Sequence, residues 1–262
     1  MEFFLEKFKL LTPLSVSEHV ETFLAVSDNK LIVLKRPRTG LGETYILREV
    51  VALRHVEKLP NCPRIIEVIT EPVVVLVLEY IEGLVLENFH RLNSLALKHK
   101  LKIALKVAKI VDALHRINLI HNDIKPSNLL INPLSFDLTL VDFAHADLLD
   151  TRETVFKDFF VGTPVFLAPE AFLGYYSKKS DIYSLTATMY FIFENRMPFQ
   201  SEKLEQLYNE KKTVKLIFHE LDDNEVKFFV SQGLSPKPNA RPSAQTLVDF
   251  LEKKLSALKI AA

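Results

Sequence analysis

One stretch of the chain holds several side chains that could bind a metal ion, bind phosphate or move a proton. It reads His121-Asn122-Asp123-Ile124-Lys125-Pro126-Ser127-Asn128, and Asp142-Phe143-Ala144 follows a little further on. The amide oxygen of Asn128 and the carboxylate of Asp142 are ligands that suit a hydrated Mg²⁺, which shares its remaining positions with substrate phosphates. Asp123 and Lys125 would flank the place where a hydroxyl group meets a γ-phosphate. The stretch therefore predicts phosphoryl-transfer chemistry.

Two short apolar segments predict the strands that would position these groups. Leu129 to Ile131 and Leu138 to Val141 are joined by a turn through Asn132, Pro133 and Ser135. One metal ligand then stands at the entrance of the first strand and the other at the exit of the second. The sequence therefore predicts that the two oxygen ligands converge.

The first part of the chain reads as strands around one helix. Ile46, Val50, Leu53 and Val56 recur at helical spacing and predict a helix from Glu43 to Leu59. Glu49 lies on the same stripe, where a carboxylate is costly unless a cation pairs with it. The strands of a small sheet are predicted at Leu10 to Pro13, Val20 to Val26, Lys30 to Lys35, Ile65 to Ile69 and Val73 to Tyr80.

From Leu95 onward the periodicity is helical. The predicted helices are Leu97 to Ile117, Ser180 to Phe193, Ser201 to Asn209, Asn224 to Gln232 and Ser243 to Leu255. A chain of 262 residues with 48% apolar residues is large enough for two lobes. We expect an α+β fold with a β-rich lobe over residues 1–82, a larger helical lobe over 83–262, and Glu82-Gly83 as the hinge.

The ordered set of motifs resembles the protein kinase family. It comprises Ile32-Val33-Leu34-Lys35, Glu49, the stretch from His121 to Asn128, Asp142, Gly162-Thr163-Pro164, Ala168-Pro169-Glu170, Asp181 and Ala240-Arg241-Pro242. Pro126 and the Gly-Thr-Pro segment resemble the serine/threonine-directed branch. The resemblance spans nearly the whole chain and implies a single protein kinase domain over residues 1–262 with the two-lobed kinase fold.

The resemblance assigns catalytic roles to four residues. Asp123 would orient the substrate hydroxyl and accept its proton, and Lys125 would neutralise the γ-phosphate. Lys35, held by Glu49, would contact the α- and β-phosphates. Taken alone, Asp123 is better interpreted as a loop-capping aspartate, and Lys35 as a solvated cation at the end of a strand.

The resemblance also implies the cofactors ATP and Mg²⁺, with Asn128 and Asp142 as the metal ligands. Thr163 would bond Asp123 and Lys125. Asp181 would cap the backbone of the catalytic loop, His121 to Asn128. Glu170 and Arg241 would pair. The implied nucleotide contacts are Ser15, Ser17, Val20, Val33, Lys35, Glu79, Ile81 and Leu130, with the backbone of Glu79 and Ile81 meeting adenine.

The chain departs from the family in three places. Ser15, Ser17 and Val20 occupy the three positions of the family's glycine-rich loop, where side chains hinder the approach of backbone to phosphate and serine hydroxyls would have to compensate. Ala144 replaces a glycine after Asp142-Phe143. Asn122 replaces the catalytic-loop arginine, whose charge in other kinases is paired by a phosphorylated residue.

These departures leave more than one function open. The favoured reading is an ATP-dependent serine/threonine protein kinase, possessing every charged catalytic group but with weak activity. The alternative is a pseudokinase that serves as a nucleotide-binding or protein-binding scaffold. A kinase of small molecules is a third reading, which the protein-substrate motifs disfavour.

Composition bounds the partners and the compartment. The formal net charge is zero, so we expect no nucleic-acid partner. The single cysteine, Cys62, excludes an intramolecular disulfide and is consistent with a reducing compartment. The aliphatic run Val73 to Leu78 is too short to cross a bilayer and the acidic start lacks a basic signal region, so we expect a cytoplasmic protein without a membrane role. Phe3, Phe4, Phe8 and Leu11 are expected to pack against the first strand.

Overall fold

The computed structural model describes residues 7–89, 92, 94–150, 153–158, 161–213 and 215–260, without the side chains of residues 259 and 260. These residues form two compact units. One comprises the described residues up to Glu82 together with Val141–Ala146, and the other comprises Gly83–Leu140 and the chain from Asp147 onward. In the described part of the chain, no helix combines the length and the apolar character that crossing a bilayer would require.

The β-rich unit is built on an antiparallel sheet in the order β1-β2-β3-β5-β4. Its strands are β1 (Lys9–Val16), β2 (Val20–Ser27), β3 (Lys30–Pro37), β4 (Ile65–Ile69) and β5 (Val75–Glu79). One face buries Ile32 and Leu34 with Phe8, as expected for Phe8. The expected packing of Leu11 is wrong, because Leu11 is exposed on the edge strand β1, and Phe3 and Phe4 lie outside the described residues. Because side chains alternate along a strand, Lys35 lies on the opposite face of β3 from Leu34.

Helix α1 (Gly40–His55) lies in the same unit and begins earlier than the predicted Glu43. The cause is Thr39, whose side chain accepts a hydrogen bond from the Gly42 N–H at 3.3 Å and caps the first turn. The predicted stripe is buried, and Glu49 is buried with Ile46, Val50 and Leu53. This places a carboxylate on the inward face of the helix.

The second unit is mainly helical. Its helices are α2 (Leu97–Arg116), α3 (Lys178–Glu194), α4 (Leu204–Thr213), α5 (Asn224–Gly233) and α6 (Ala244–Ile260). Helix α3 is its core element, because every residue from Ser180 to Glu194 is buried. Helix α4 begins after the predicted Ser201, whose hydroxyl donates to Glu210 at 2.5 Å from outside the helix.

Short strand pairs carry the loops of the helical unit. They are β6 (Leu84–Val85), β7 (Leu119–Ile120), β8 (Leu129–Ile131), β9 (Leu138–Leu140), β10 (Asp147–Leu148), β11 (Thr154–Phe156) and β12 (Tyr175–Ser177). The predicted hairpin is confirmed: β8 pairs with β9, with Leu129 opposite Leu140. Strand β7 pairs with β10 and leads directly into the catalytic loop.

Candidate active site

Lys35 and Glu49 form a buried ion pair in the β-rich unit. The Lys35 Nζ donates to both carboxylate oxygens of Glu49 at 2.7 Å, and the two side chains are 10% and 2% exposed. Burial alone would lower the pKa of Lys35, but the carboxylates of Asp142 and Glu49 outweigh it and hold the pKa above its ordinary value. Burial raises the pKa of Glu49, and Lys35 opposes that rise. The expected pairing is formed, and its contact with phosphates stays a prediction.

Asp142 joins this pair from the segment that follows the hairpin. The Lys35 Nζ donates to Asp142 Oδ1 at 2.9 Å, and the Phe143 N–H donates to Glu49 Oε1 at 3.2 Å. Asp142 has a left-handed backbone with φ of 68°, a conformation that aspartate tolerates better than most residues. Its side chain is 41% exposed, so the carboxylate is reachable from solvent. An accessible hard oxygen next to a fixed cation fits a metal ligand that also meets phosphate.

The carboxylate of Asp181, in the helical unit, holds the backbone at the start of the catalytic loop. This carboxylate is buried and accepts the backbone N–H groups of His121 at 2.8 Å and Asn122 at 2.9 Å. The His115 Nε2 lies 3.1 Å from the same carboxylate. The predicted capping role of Asp181 is therefore confirmed. It orders the two residues that precede Asp123.

Every oxygen of the Asp123 carboxylate has a partner. The backbone N–H and the hydroxyl of Thr163 both donate to Oδ1 at 3.0 Å. Asn128 donates its amide to Oδ2 at 2.9 Å, and Lys125 Nζ lies 2.8 Å from that oxygen. Lys125 also donates to the Thr163 hydroxyl at 2.7 Å, so the predicted Thr163 contacts are confirmed. Because the Asn128 amide nitrogen is engaged, its orientation is set and its oxygen fits a metal ligand.

Gly162 lets the acceptor segment, Gly162-Thr163-Pro164, approach the catalytic loop. Its φ is +97°, and a Cβ here would lie 2.6 Å from the Asn122 carbonyl oxygen. A side chain would therefore displace Thr163 from Asp123. Glycine is therefore required at position 162 because a side chain would not fit, and threonine at position 163 donates the hydrogen bonds to Asp123.

Glu170 and Arg241 tie the end of that segment to the chain before α6. Arg241 is 2% exposed and donates to the two Glu170 oxygens at 2.5 and 2.8 Å, a bidentate pair. It also donates to the Lys179 carbonyl at 2.8 Å. The predicted pairing of these two residues is confirmed.

The turn between β1 and β2 carries the substituted glycine positions. The Ser17 hydroxyl donates to the Val20 carbonyl at 2.9 Å and accepts the Val20 N–H at 3.0 Å, so it closes the turn. Arg38 donates to the Ser17 carbonyl at 2.7 Å and, from its N–H, to the His19 carbonyl at 2.7 Å. A Cβ on Gly42 would overlap the His19 carbonyl oxygen. The turn is therefore anchored to the start of α1, a contact that sequence reasoning missed.

The remaining predicted nucleotide contacts lie on strands. Val33 is opposite Leu78 in the sheet of the β-rich unit, and Glu79 ends β5 with its N–H donating to the Arg64 carbonyl at 3.1 Å. Ser15 is exposed on β1, Val20 begins β2 and Ile81 follows β5. Leu130 pairs with Thr139 in the helical unit. Their contact with a nucleotide stays a prediction.

Asp147 is a further site residue that sequence reasoning did not find. Its carboxylate accepts the Asn122 side-chain amide at 2.8 Å and lies 2.6 Å from Lys157 Nζ. No pattern in the sequence pointed to Asp147, because it lies in the two-residue strand β10, which is too short to show periodicity.

Comparison with known proteins agrees with this geometry. A serine/threonine-protein kinase of Acanthamoeba polyphaga mimivirus is 26% identical over 200 residues, covering 70% of this chain and 69% of that protein. CBL-interacting serine/threonine-protein kinase 15 of Arabidopsis thaliana is 28% identical over 88% of this chain and 55% of its own length. The serine/threonine-protein kinase PrkC of Bacillus subtilis is 32% identical over 48% of this chain. The matched region covers only 20% of PrkC.

The family model for the protein kinase domain matches residues 19–250. That match covers most of the chain, and the β-rich and helical units are those of the α+β kinase fold. Members of this family use ATP with a divalent metal ion and act on protein substrates. The chain belongs to the protein kinase family.

Proposed function

We propose that this chain is an ATP-dependent serine/threonine kinase that transfers the γ-phosphate of ATP to a hydroxyl group of a protein. The observation that carries the proposal is the network around Asp123, in which Lys125, Asn128 and Thr163 fix both carboxylate oxygens. A scaffold has no need of an aspartate oriented in this way.

In this proposal the helical unit handles the acceptor. Asp123 orients the substrate hydroxyl and accepts its proton, and Lys125 neutralises the charge that develops on the transferred phosphoryl group. Thr163 bonds both side chains and so keeps them at a constant separation. Pro126 and the three relatives named as serine/threonine kinases support serine and threonine as acceptors.

The β-rich unit would handle the phosphates of ATP. Lys35, aligned by Glu49, would contact the α- and β-phosphates, and Asp142 would be a ligand of Mg²⁺. The second proposed ligand, Asn128, belongs to the helical unit. When bound, Mg²⁺ neutralises negative charge on the phosphate oxygens. We also place the protein in the cytoplasm, where the single buried Cys62 would stay reduced.

A second candidate function is a nucleotide-binding or protein-binding scaffold. It is favoured by the β1–β2 turn, in which the Ser17 hydroxyl donates within the chain and Arg38 anchors the backbone. Such a turn offers phosphate fewer backbone N–H groups than a glycine loop does. We therefore expect modest ATP affinity and slow turnover.

Transfer of radiolabelled phosphate from Mg²⁺·ATP to casein, compared between wild type and Asp123→Asn, separates the two functions. We expect Asp123→Asn to lower turnover by about a hundred- to ten-thousandfold, because it loses the proton acceptor and keeps only one oxygen that can accept hydrogen bonds. ATP affinity measured by calorimetry should barely change. Phosphoamino-acid analysis of the product should yield phosphoserine or phosphothreonine.

Asp137→Asn is the matched control, since Asp137 is an exposed aspartate of the same unit bonded to Lys106 and Ser135. It should leave turnover unchanged. Equal transfer by wild type and Asp123→Asn would show that the phosphate comes from a contaminating kinase. ATP binding without any transfer by wild type would establish the scaffold instead.

A further inference from the structure

A contact of three side chains links β10 and the residue after β11 to the catalytic loop. Asn122 Nδ2 donates to Asp147 Oδ2 at 2.8 Å, and Lys157 Nζ lies 2.6 Å from the same oxygen. The Lys157 and Asp147 side chains are only 8% and 19% exposed. A pair so little exposed is screened weakly by salt, and removing one partner leaves the other charge buried with less compensation.

The pair joins parts of the chain that are otherwise attached at different places. Asp147 lies in β10 opposite Ile120 of β7, the strand that enters the catalytic loop. Lys157 follows β11, and its N–H donates to the Gly174 carbonyl at 2.9 Å. A Cβ on Gly174, whose φ is +83°, would overlap the Lys157 carbonyl oxygen. The backbone at Lys157 is therefore packed tightly on the loop before β12.

Packing also fixes where the Lys157 side chain can go. Its Nζ lies 5.2 Å from the centre of the Tyr176 ring, within the range of a cation–π contact. Tyr176 is itself held, because its hydroxyl accepts the Val161 N–H at 2.5 Å and donates to the Val161 carbonyl at 3.2 Å. Val161 directly precedes Gly162 and Thr163. The position of Lys157 is thus connected through Tyr176 to the residue that bonds Asp123.

In this link the charge that the segment contributes at Lys157 is positive, whereas a phosphorylated segment would contribute a negative charge. A phosphorylated segment carries the negative charge and needs a cationic receptor beside the catalytic aspartate. Here the segment carries the cation Lys157, which pairs with Asp147 of the same segment, and Asp147 in turn accepts from Asn122 of the catalytic loop. A negative charge added beside Lys157 would compete with Asp147 for the same ammonium group.

We propose that Lys157 is a positioning residue which, through Asp147 and Asn122, holds the β11–β12 pair and the acceptor segment in place without phosphorylation. The statement about segment order stands on the structure alone, and the consequence for turnover rests on the proposed kinase function.

Two single variants and one exchanged pair test the link. Lys157→Met keeps the aliphatic stem over Tyr176 and removes the charge, and Asp147→Asn keeps an acceptor for Asn122. The exchanged pair, Asp147→Lys with Lys157→Asp, restores the attraction, and Asn122 can then present its amide oxygen to the cation. Lys106→Met is the matched control, because Lys106 pairs with Asp137 at 2.7 Å in the same unit but on the exposed surface.

Hydrogen exchange of the amides of β11 and β12 is the readout that needs no activity. Each single variant should exchange about tenfold faster or more than wild type, since loss of one partner promotes local opening. The exchanged pair should return most of the protection, and Lys106→Met should match wild type. Steady-state assays should show a raised KM for the protein acceptor in the single variants with an unchanged KM for ATP.

Unchanged exchange in both single variants would overturn the proposal. So would an exchanged pair that is no better protected than Lys157→Met, because then the charges are not what holds the strands. Phosphatase treatment of wild type should leave exchange and turnover unchanged, and a loss of either would assign the role to a phosphate. If wild type transfers no phosphate at all, the kinase function fails while the exchange data still decide the link.

Discussion

Glu49 has two partners, and one substitution separates them. Its carboxylate accepts both from the Lys35 ammonium and from the Phe143 N–H. Glutamine keeps an oxygen for the N–H group and loses the charge that aligns the ammonium. Lys35 would then rely on Asp142, 2.9 Å away, which is also the proposed metal ligand.

We predict that Glu49→Gln raises the KM for ATP by about tenfold or more, because Lys35 turns toward Asp142 and competes with the metal ion for it. The optimum Mg²⁺ concentration should rise as well. Initial rates across a matrix of ATP and Mg²⁺ concentrations measure both effects. Glu43→Gln, in the first turn of the same helix, should change neither. An unaltered KM in Glu49→Gln would mean that Lys35 needs no alignment by Glu49.

Among the elements, the β1–β2 turn is held by hydrogen bonds that restrict the movement of its backbone. Ser17 closes it and Arg38 anchors it, where a glycine loop would be free to move its backbone toward phosphate. Val20 begins β2 opposite Pro37 and so has an extended backbone rather than a positive φ. The substituted turn is thus locally consistent.

Restoring the three glycines should shift this balance. We predict that Ser15→Gly, Ser17→Gly and Val20→Gly together tighten ATP binding or raise turnover, because the backbone can then approach the phosphates. The same variant should be less stable, by about 0.5 to 1 kcal/mol for each strand glycine. Calorimetric titration with ATP and a thermal melt measure the two effects. Weaker ATP binding at unchanged stability would contradict the prediction.

The segment after Asp142 contains threonines that could be phosphorylated. Thr151 and Thr154 are its candidate phosphorylation sites, of which Thr151 lies outside the described residues and Thr154 is exposed in β11. Because Asn122 is neutral, we predict that Thr151→Ala with Thr154→Ala leaves turnover within about tenfold of wild type, a barrier change under roughly 1.4 kcal/mol. Turnover of the two proteins after identical purification is the measurement. A larger loss that phosphatase reproduces in wild type would require a phosphate-binding cation here.

At the scale of the whole molecule, Lys211 is a buried cation that supports the acceptor segment. It lies in α4, donates to the Val165 carbonyl at 2.7 Å and faces the rings of Tyr183 and Phe199 at 5.0 and 4.7 Å. Burial lowers its pKa to about 7, Glu210 opposes the fall and Arg241 adds to it. The aromatic faces favour the charged form.

This lowered pKa makes stability depend on pH in a definite window. Between pH 7 and the ordinary lysine pKa of 10.5, the unfolded chain binds a proton that the folded chain has released. Stability therefore rises with pH in this window, and the contribution is lost as pH falls toward 7. We predict that wild type gains about 1 to 2 kcal/mol relative to Lys211→Met between pH 7 and pH 9.

Denaturant unfolding of wild type and Lys211→Met at pH 7, 8 and 9 measures the difference, in which other titrating groups cancel. Lys212→Met is the control, because Lys212 is an exposed neighbour on the same helix. A wild-type advantage that does not change with pH would show that Lys211 stays charged when folded.

Features that depend on residues close together in the chain could be predicted from the sequence. The runs on either side of Asn132 are short and apolar, so the β8–β9 hairpin between Asn128 and Asp142 could be predicted with nearly correct bounds. Glu49 falls on the apolar stripe of α1, which predicted a buried carboxylate that needs a cation such as Lys35 as its partner. Ordered motifs then predicted the pairs Thr163 with Asp123 and Glu170 with Arg241, both of which are present.

Contacts made by segments without periodicity could not be predicted, because they depend on residues that folding brings together. The path of the chain from Asp147 to Lys157 follows from strand pairing and from tight packing on Gly174, and neither leaves a repeating pattern in the sequence. The anchoring of the β1–β2 turn by Arg38 depends in the same way on the missing side chain of Gly42. Periodicity reports which face of an element is buried, whereas pairing between distant loops is set by the whole fold.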